Sequence, residues 1–133
     1  MSKMQRDKGA RGERAVVAYL RQNGYPDARR YLAGDGRQPG DIDAIPGVSL
    51  EVKNQAAYAI SAWIAQAVEE AGPRTPVVFM HPKGVALDDV GNWWAVMRVS
   101  DFLPLVTECS TTPHGNRNAS TRMRRGATRV NGR

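Results

Sequence analysis

The sequence predicts an α/β fold of the α+β type, built on one mixed five-stranded sheet with helices packed against it. Two segments, 7–23 and 59–71, carry apolar residues at the spacing of one helix face. Five other short segments have the composition of strands. The second helix separates an early antiparallel group from a later apolar strand, which is the connection that a parallel strand pair requires. The predicted order is α-β-β-β-α-β-β-α.

The first predicted helix begins at Asp7 as its N-cap, runs to about residue 23 and stops at Gly24. Its inward face is a stripe at helical spacing, formed by Gly9, Gly12, Glu13, Val16, Val17 and Leu20. Glu13 is the exception on this stripe, because it is a carboxylate among small and apolar residues.

The second helix, 59–71, carries the stripe Ile60, Trp63, Ile64, Ala67, Val68 and Ala71, and Gly72-Pro73 ends it. Strands are predicted at 29–34, 41–45, 48–53, 75–80 and 92–99, with a glycine-rich loop at 34–40. Alternation along the last strand places one of Trp93 and Trp94 in the core and the other outside. A short final helix follows, with Ser100 as its cap.

The composition limits the class of protein. A chain of 133 residues is long enough for one domain with a real core and too short for two comfortable ones. It contains no apolar run of membrane-spanning length, and its polar N-terminus lacks a signal peptide. One cysteine excludes an internal disulfide and a multi-cysteine metal site. We expect a soluble protein of the reducing cytoplasm, with no membrane partner.

The excess of positive charge is concentrated at the C-terminus. Residues 107–133 contain six arginines and one glutamate, a net charge of +5, whereas residues 1–106 carry only +1. The tail has few large apolar side chains, so we expect a folded domain at 1–106 and a disordered basic tail at 107–133. The tail is interpreted either as a phosphate-attracting arm or as a solvated segment with no role.

The stretch GDIDAIPGVSLEVKNQ, residues 40–55, concentrates acidic groups on a predicted hairpin. Residues two apart on a strand share a face, so Glu51 and Lys53 point the same way, opposite the apolar Leu50 and Val52. Two converging carboxylates repel each other unless a proton or a cation lies between them. Mg²⁺ prefers such oxygen ligands, and a neighbouring lysine can neutralise charge that develops on a phosphate.

The same residues have a simpler interpretation, a surface hairpin with solvated charges and an ordinary cross-strand ion pair. Glu13 favours the metal site, because it offers a third carboxylate from a helix that packs nearby. Bringing Asp41 and Glu51 together also requires one particular register. A three-residue loop at 45–47 places Asp41 opposite Glu51 on one face, whereas a two-residue loop separates them. We therefore predict the three-residue loop, or an equivalent bulge, with Gly47 at positive φ.

The segments GARGERAVVAYLRQNGY, GDIDAIPG and LEVKNQ, followed by a helix and an apolar strand, resemble the PD-(D/E)XK nuclease superfamily, and most closely the archaeal-type and phage Holliday junction resolvases. The likeness covers about residues 8–100 and implies a restriction-endonuclease-like sheet. It implies a catalytic set of Glu13, Asp41, Glu51, Lys53 and Gln55, with metal ligation by Asp41, Glu51 and Glu13. One departure is that Gly40, rather than proline, precedes Asp41. The role of Asp43 is left open.

The resemblance also implies a homodimer that cuts branched DNA with Mg²⁺, for which Mn²⁺ can substitute. Predicted DNA contacts are the arginines of the first helix, of the loop before the hairpin and of the tail: Arg11, Arg14, Arg29, Arg30, Arg37, Arg122, Arg124 and Arg125. Solvated surface is the alternative for those on the helix.

The leading interpretation is a Mg²⁺-dependent endonuclease that resolves four-way DNA junctions in a prokaryotic cell or a phage-infected host. One alternative is a nuclease of the same fold that acts on flaps, ends or a recognition site. Another is a DNA-binding module that has lost activity, against which the intact set of acids and lysine argues. His81 follows an apolar strand and is a weaker candidate for a general base, because the predicted site needs no histidine.

Overall fold

The computed structural model describes residues 2–32 and 39–111, with side chains to residue 107. The chain divides into two units, Met1–Arg98 and Val99–Arg133. Within the described residues, the first contains a five-stranded mixed sheet, two α-helices and one short 3-10 helix, and the second contains one α-helix. The predicted α+β class with a mixed five-stranded sheet is confirmed.

The sheet has its strands in sequence order from edge to edge. They are β1 (Arg29–Arg30), β2 (Ile42–Asp43), β3 (Val48–Lys53), β4 (Thr75–Met80) and β5 (Trp94–Val96). Only β3 and β4 are parallel, and the other three neighbouring pairs are antiparallel. The helix between β3 and β4 is therefore the crossover that a parallel pair needs.

The first helix, α1 (Lys3–Gln22), begins five residues before the predicted start. Ser2, not Asp7, is its N-cap: the Ser2 hydroxyl accepts from the Gln5 N–H, and the Gln5 side chain accepts from the Ser2 N–H. This reciprocal pair is a capping box, which satisfies two otherwise orphaned donors. The prediction of Asp7 was wrong because it started the helix at the apolar stripe, and the cap lies outside that stripe.

The two sheet faces are covered by different helices. On one face, α1 buries Val16 and Leu20 against Leu50 and Val52 of β3. On the other, α2 (Ile60–Ala71) packs Trp63, Ala67, Val78 and Met80 into a second cluster. Glu51 and Lys53 lie directly beside Val78 and Met80 on the neighbouring strand, so they belong to the α2 face.

The hairpin has the predicted register. Ile42 pairs with Leu50, which is the pair that the predicted register requires. Regular pairing stops there, because Gly40 also bridges to Leu50 and the Asp41 N–H donates to the Leu50 carbonyl at 2.8 Å. The Val48 N–H donates to the Ile45 carbonyl at 3.1 Å across the turn, and Gly47 has φ of 76°. Both the loop at 45–47 and the positive φ of Gly47 are confirmed.

Three strands are shorter than predicted. The first ends at Arg30 and not near residue 34, the second covers two residues, and β5 covers three. A 3-10 helix, Val90–Asn92, precedes β5 and takes up the start of the predicted last strand. Trp93 is buried and Trp94 is about half exposed, so the two indoles divide as predicted.

The second unit contains helix α3 (Val99–Thr111). It starts before Ser100, so Ser100 lies inside the helix and is not its cap. The predicted boundary at residue 106 also lies inside α3, and the first five residues of the predicted tail are helical. The rest of the tail lies outside the described residues. No helix within 2–32 and 39–111 combines the length and apolar character that a membrane crossing needs.

Candidate active site

A cleft of about 800 Å³ lies where the N-terminal half of α1, the start of the hairpin, the end of β3 and α2 meet. All five residues of the predicted catalytic set line it, namely Glu13, Asp41, Glu51, Lys53 and Gln55. A second, smaller and mainly apolar cavity of about 200 Å³ lies beside Trp93, away from these acids. The cleft is therefore the candidate active site.

Glu51 is the most buried of the charged groups, with 3% of its surface exposed. Burial raises the pKa of its carboxyl to about 9, and a hydrogen bond with Glu70 and the negative charges of Asp41 and Glu70 add to that rise. The Lys53 ammonium, 3.9 Å from Glu51 Oε2, acts in the opposite direction and only partly offsets it. Near neutral pH, Glu51 therefore holds a proton when no metal is bound.

Asp41 shares a side-chain hydrogen bond with Glu51. Its Oδ2 accepts from the Val52 N–H at 2.8 Å, and its own N–H donates to the Leu50 carbonyl at 2.8 Å. Burial raises the pKa of Asp41, while the bonds from Val52 and from the Glu51 carboxyl lower it. Two acidic side chains thus lie close together in a partly buried site, where a bound cation would reduce the repulsion between their negative charges.

Glu13 reaches the cleft from α1 and is paired with Arg30. The guanidinium Nη2 lies 2.6 Å from Glu13 Oε2, and Nε donates to the same oxygen at 2.8 Å. Burial first, and then the charge of Asp41, raises the pKa of Glu13, and Arg30 acts against this rise. The structure thus brings Glu13 near Asp41 but gives its carboxylate an arginine partner.

The carboxylates are suited to a divalent cation held by two protein ligands. Among the described residues, no group of three or more His, Cys, Asp or Glu side chains is arranged to hold a metal ion. The three-ligand set of Glu13, Asp41 and Glu51 stays a prediction. Asp41 and Glu51 alone fit the usual manner of binding Mg²⁺, in which one or two carboxylates are completed by water and substrate phosphate.

Two residues at this site were missed from the sequence, Gln66 and Glu70 of α2. Lys53 Nζ donates to Gln66 Oε1 at 3.3 Å, and Gln66 Nε2 donates to Glu70 Oε1 at 2.9 Å. The hydrogen bond from Glu51 is the main cause that lowers the pKa of Glu70. Their spacing of one helical turn, on the flank of the apolar stripe, was the available signal.

Gly40 separates this chain from the family pattern that it resembles. Its φ is 89°, and a Cβ at this position would lie 2.5 Å from the Leu50 carbonyl oxygen. Proline is fixed near a φ of −65°, so it cannot replace this glycine without a change of the backbone. The backbone at position 40 therefore differs from the one that the family's proline would adopt. Neither glycine nor proline has a side chain that could bind a metal ion.

The predicted DNA-binding arginines have different surroundings. Arg30 lines the cleft, whereas Arg29 pairs with Asp43 at 3.2 Å, with both side chains about half exposed. This pair gives Asp43 a role as a surface partner. Arg11 and Arg14 are exposed on α1. The remaining four predicted arginines lie outside the described residues: Arg37, Arg122, Arg124 and Arg125.

His81 supports the structure around the site and does not line the cleft. Its Nδ1 bonds Asn54 Oδ1 at 2.9 Å, its Nε2 bonds the Val85 carbonyl, and its ring stacks on Trp93 at 4.8 Å. Asn54 in turn donates to the Lys8 carbonyl at 2.9 Å and so ties α1 to the end of β3. These contacts use both ring nitrogens and leave neither for a substrate.

Comparison with protein-family models, with curated proteins and with solved structures finds no match to this chain.

Proposed function

We propose that this protein is a Mg²⁺-dependent endonuclease of the PD-(D/E)XK type, with a restriction-endonuclease-like core, that hydrolyses phosphodiester bonds in branched DNA. The observation that carries the proposal is the convergence of Asp41, Glu51 and Lys53 in one cleft. Two carboxylates can hold a metal ion that polarises a phosphate, and a nearby lysine can stabilise the negative charge that develops on it. The resemblance to Holliday junction resolvases supports four-way junctions as the substrate.

Asp41 and Glu51 would hold the ion, which when bound polarises a phosphate and acidifies a coordinated water. Glu51 must first lose its proton, because a ligating carboxylate is deprotonated. Lys53 orients the attacking water and neutralises negative charge that develops on the phosphate. Gln55 is exposed at the cleft wall, and its proposed role is to assist Lys53.

The walls of the cleft suit a polyanion. The basic side chains that line it within the described residues are Arg6, Lys8, Arg30 and Lys53. Positive charge at these places attracts the DNA backbone without reading its sequence. A homodimer would present two such clefts, one for each strand cut in a junction, and cytoplasmic action in a prokaryotic or phage-infected cell is part of the proposal.

The test is a cleavage assay with labelled four-way junction, flap and linear duplex, each with Mg²⁺ or EDTA. We expect Mg²⁺-dependent cleavage of the junction. Asp41→Asn should abolish it, whereas Asp43→Asn, a matched change of an aspartate paired at the surface, should preserve it. Preferred cleavage of flaps or duplex would assign another nuclease substrate. Binding to all three substrates without any cleavage would leave the inactive DNA-binding module.

A further inference from the structure

Lys53 is held in the cleft by a chain of side chains on α2. Its ammonium donates to Gln66 Oε1 at 3.3 Å, and the other end of the same amide donates to Glu70 Oε1 at 2.9 Å. An amide has a donor end and an acceptor end, and a carboxylate only accepts. The bond to Glu70 therefore turns the Gln66 oxygen toward Lys53.

Glu70 is also in contact with the second member of the proposed site. Its carboxylate shares a hydrogen bond with Glu51, and Glu51 Oε2 lies 3.9 Å from the Lys53 ammonium. The four side chains form a closed circuit of Glu51, Lys53, Gln66 and Glu70. One helix thus contacts both the carboxylate and the lysine that the proposed reaction uses.

The helix that supplies these contacts is well anchored. Trp63, Ala67 and Ala71 of α2 are buried, so the backbone that carries Gln66 and Glu70 is fixed against the sheet. Lysine itself is a flexible four-carbon stem with a strongly hydrated end. A lysine that must act at one place on a phosphate therefore needs an external support.

We propose that Gln66 and Glu70 are positioning residues for this site, in which Gln66 sets the location of the Lys53 ammonium and Glu70 fixes the orientation of the Gln66 amide. The role rests on the proposed nuclease function. Neither residue needs to touch DNA or metal to perform it.

Steady-state cleavage by Gln66→Ala and Glu70→Ala tests this role, with Glu69→Ala as the matched control. Glu69 is an exposed glutamate one position away on the same helix. Misplacement of a catalytic group by about 1 Å can cost up to roughly 100-fold, so we expect kcat to fall about 10- to 100-fold in both test variants with KM little changed. Glu69→Ala should retain wild-type kcat. A kcat for Glu70→Ala equal to that of Glu69→Ala would overturn the proposal.

Exchange of the two side chains separates positioning from general structural support. Gln66→Glu alone places two carboxylates one turn apart, where they repel. In the double variant Gln66→Glu with Glu70→Gln, the new amide at 70 donates to the new carboxylate at 66, which still accepts from Lys53. We expect the double variant to have a higher kcat than Gln66→Glu alone. A double variant no better than the single one would contradict the proposed chain of contacts.

A measurement without DNA keeps this inference distinct from the nuclease proposal. In NMR spectra of the metal-free protein, the Lys53 ammonium should exchange its protons slowly with water. The exchange should speed up in Gln66→Ala and Glu70→Ala and stay unchanged in Glu69→Ala. If the protein shows this exchange pattern but cleaves no DNA, the proposed nuclease function is disproved, and the proposed support of Lys53 by Gln66 and Glu70 stands. Equal exchange in all four proteins disproves the support.

Discussion

Arg30 and Glu13 form a two-bonded pair across the cleft wall, with guanidinium nitrogens 2.6 and 2.8 Å from one carboxylate oxygen. Neighbouring Arg29 makes a single contact with Asp43 at 3.2 Å on the surface. Two adjacent arginines of one short strand thus differ in burial and in partner. This difference provides a direct comparison between a cleft pair and a surface pair.

We expect Arg30→Ala to destabilise the protein more than Arg29→Ala. Loss of Arg30 leaves the Glu13 carboxylate partly buried without its donors, which costs on the order of 1–3 kcal/mol. An exposed pair such as Arg29 with Asp43 contributes about 0–1 kcal/mol. Urea unfolding of the two variants measures the difference. Equal midpoints would show that the Glu13 contact contributes no more than the surface one.

Metal-free protein should lose stability as the pH rises toward about 9, the folded-state pKa of Glu51. The folded state keeps the Glu51 proton over a range in which the unfolded chain, with an ordinary value near 4.5, has released it. The unfolded state then binds fewer protons, so the free energy of unfolding decreases with increasing pH. The raised pKa values of Asp41 and Glu13 act with the same sign.

Glu51→Gln should remove most of this decline. The lowered pKa of Glu70 has the opposite effect on stability. It stabilises the folded state at pH values above the ordinary pKa of glutamate, and this stabilisation is lost in acid. Glu70 therefore does not account for a loss of stability toward alkaline pH. Thermal melts between pH 5 and about 9 for wild type, Glu51→Gln and the surface control Glu69→Gln measure the effect. Parallel pH profiles for wild type and Glu51→Gln would contradict the assignment of the proton to Glu51.

The hairpin register could be predicted because two local constraints coincide. Leu50 and Val52 had to face a core, and the acids could share a face in only one of the two registers considered. The place of Glu70 could not be predicted in the same way. Its spacing from Gln66 marks one side of α2, but its contact with Glu51 depends on how α2 crosses the end of β3, which is a tertiary relationship. Local analysis also missed the capping box at Ser2, because it lies outside the apolar stripe of α1.

The position of Glu13 could be predicted from the sequence, but its partner could not. Its place on the apolar stripe of α1 predicted a carboxylate near the hairpin acids, and Glu13 does line the same cleft as Asp41 and Glu51. Its partner was not predictable, since Arg30 lies 17 residues away on a strand that was expected to be longer. Pattern thus indicated which residues reach the cleft, and packing decided which of them pair with each other.

Gly12→Ala should destabilise the protein, against the usual preference of helices for alanine. A Cβ at Gly12 would lie 2.8 Å from Asn54 Cβ, so α1 or the end of β3 would have to move, at a typical cost of about 1–3 kcal/mol. Gly9 of the same helix has nothing within 4 Å of its added Cβ. Gly9→Ala should therefore be neutral or stabilising by up to about 1 kcal/mol. Stabilisation by Gly12→Ala in urea melts would disprove the close contact.

Gly40→Ala should be more damaging than Gly47→Ala, although both glycines have positive φ in the same hairpin. At Gly47 an added Cβ has open space, so the cost is the conformational one of roughly 1–2 kcal/mol. At Gly40 it meets the Leu50 carbonyl as well. The family-like change Gly40→Pro should also destabilise, because φ cannot reach 89°. Comparable melting temperatures for Gly40→Ala and Gly47→Ala would show that the hairpin adjusts without cost.

Removal of residues 112–133 should weaken DNA binding and flatten its salt dependence while the fold and the cleft chemistry persist. The cut follows Thr111, the last residue of α3, so the helix is kept whole. Each lost phosphate contact reduces the slope of log affinity against log salt by about 0.9 for duplex DNA. Titrations of a labelled junction at several salt concentrations, in EDTA to prevent cleavage, measure this slope.

A full-length variant with Arg122, Arg124 and Arg125 changed to glutamine serves as the charge control, and we expect it to reproduce most of the change. An unaltered slope in the truncated protein would show that the tail does not touch DNA.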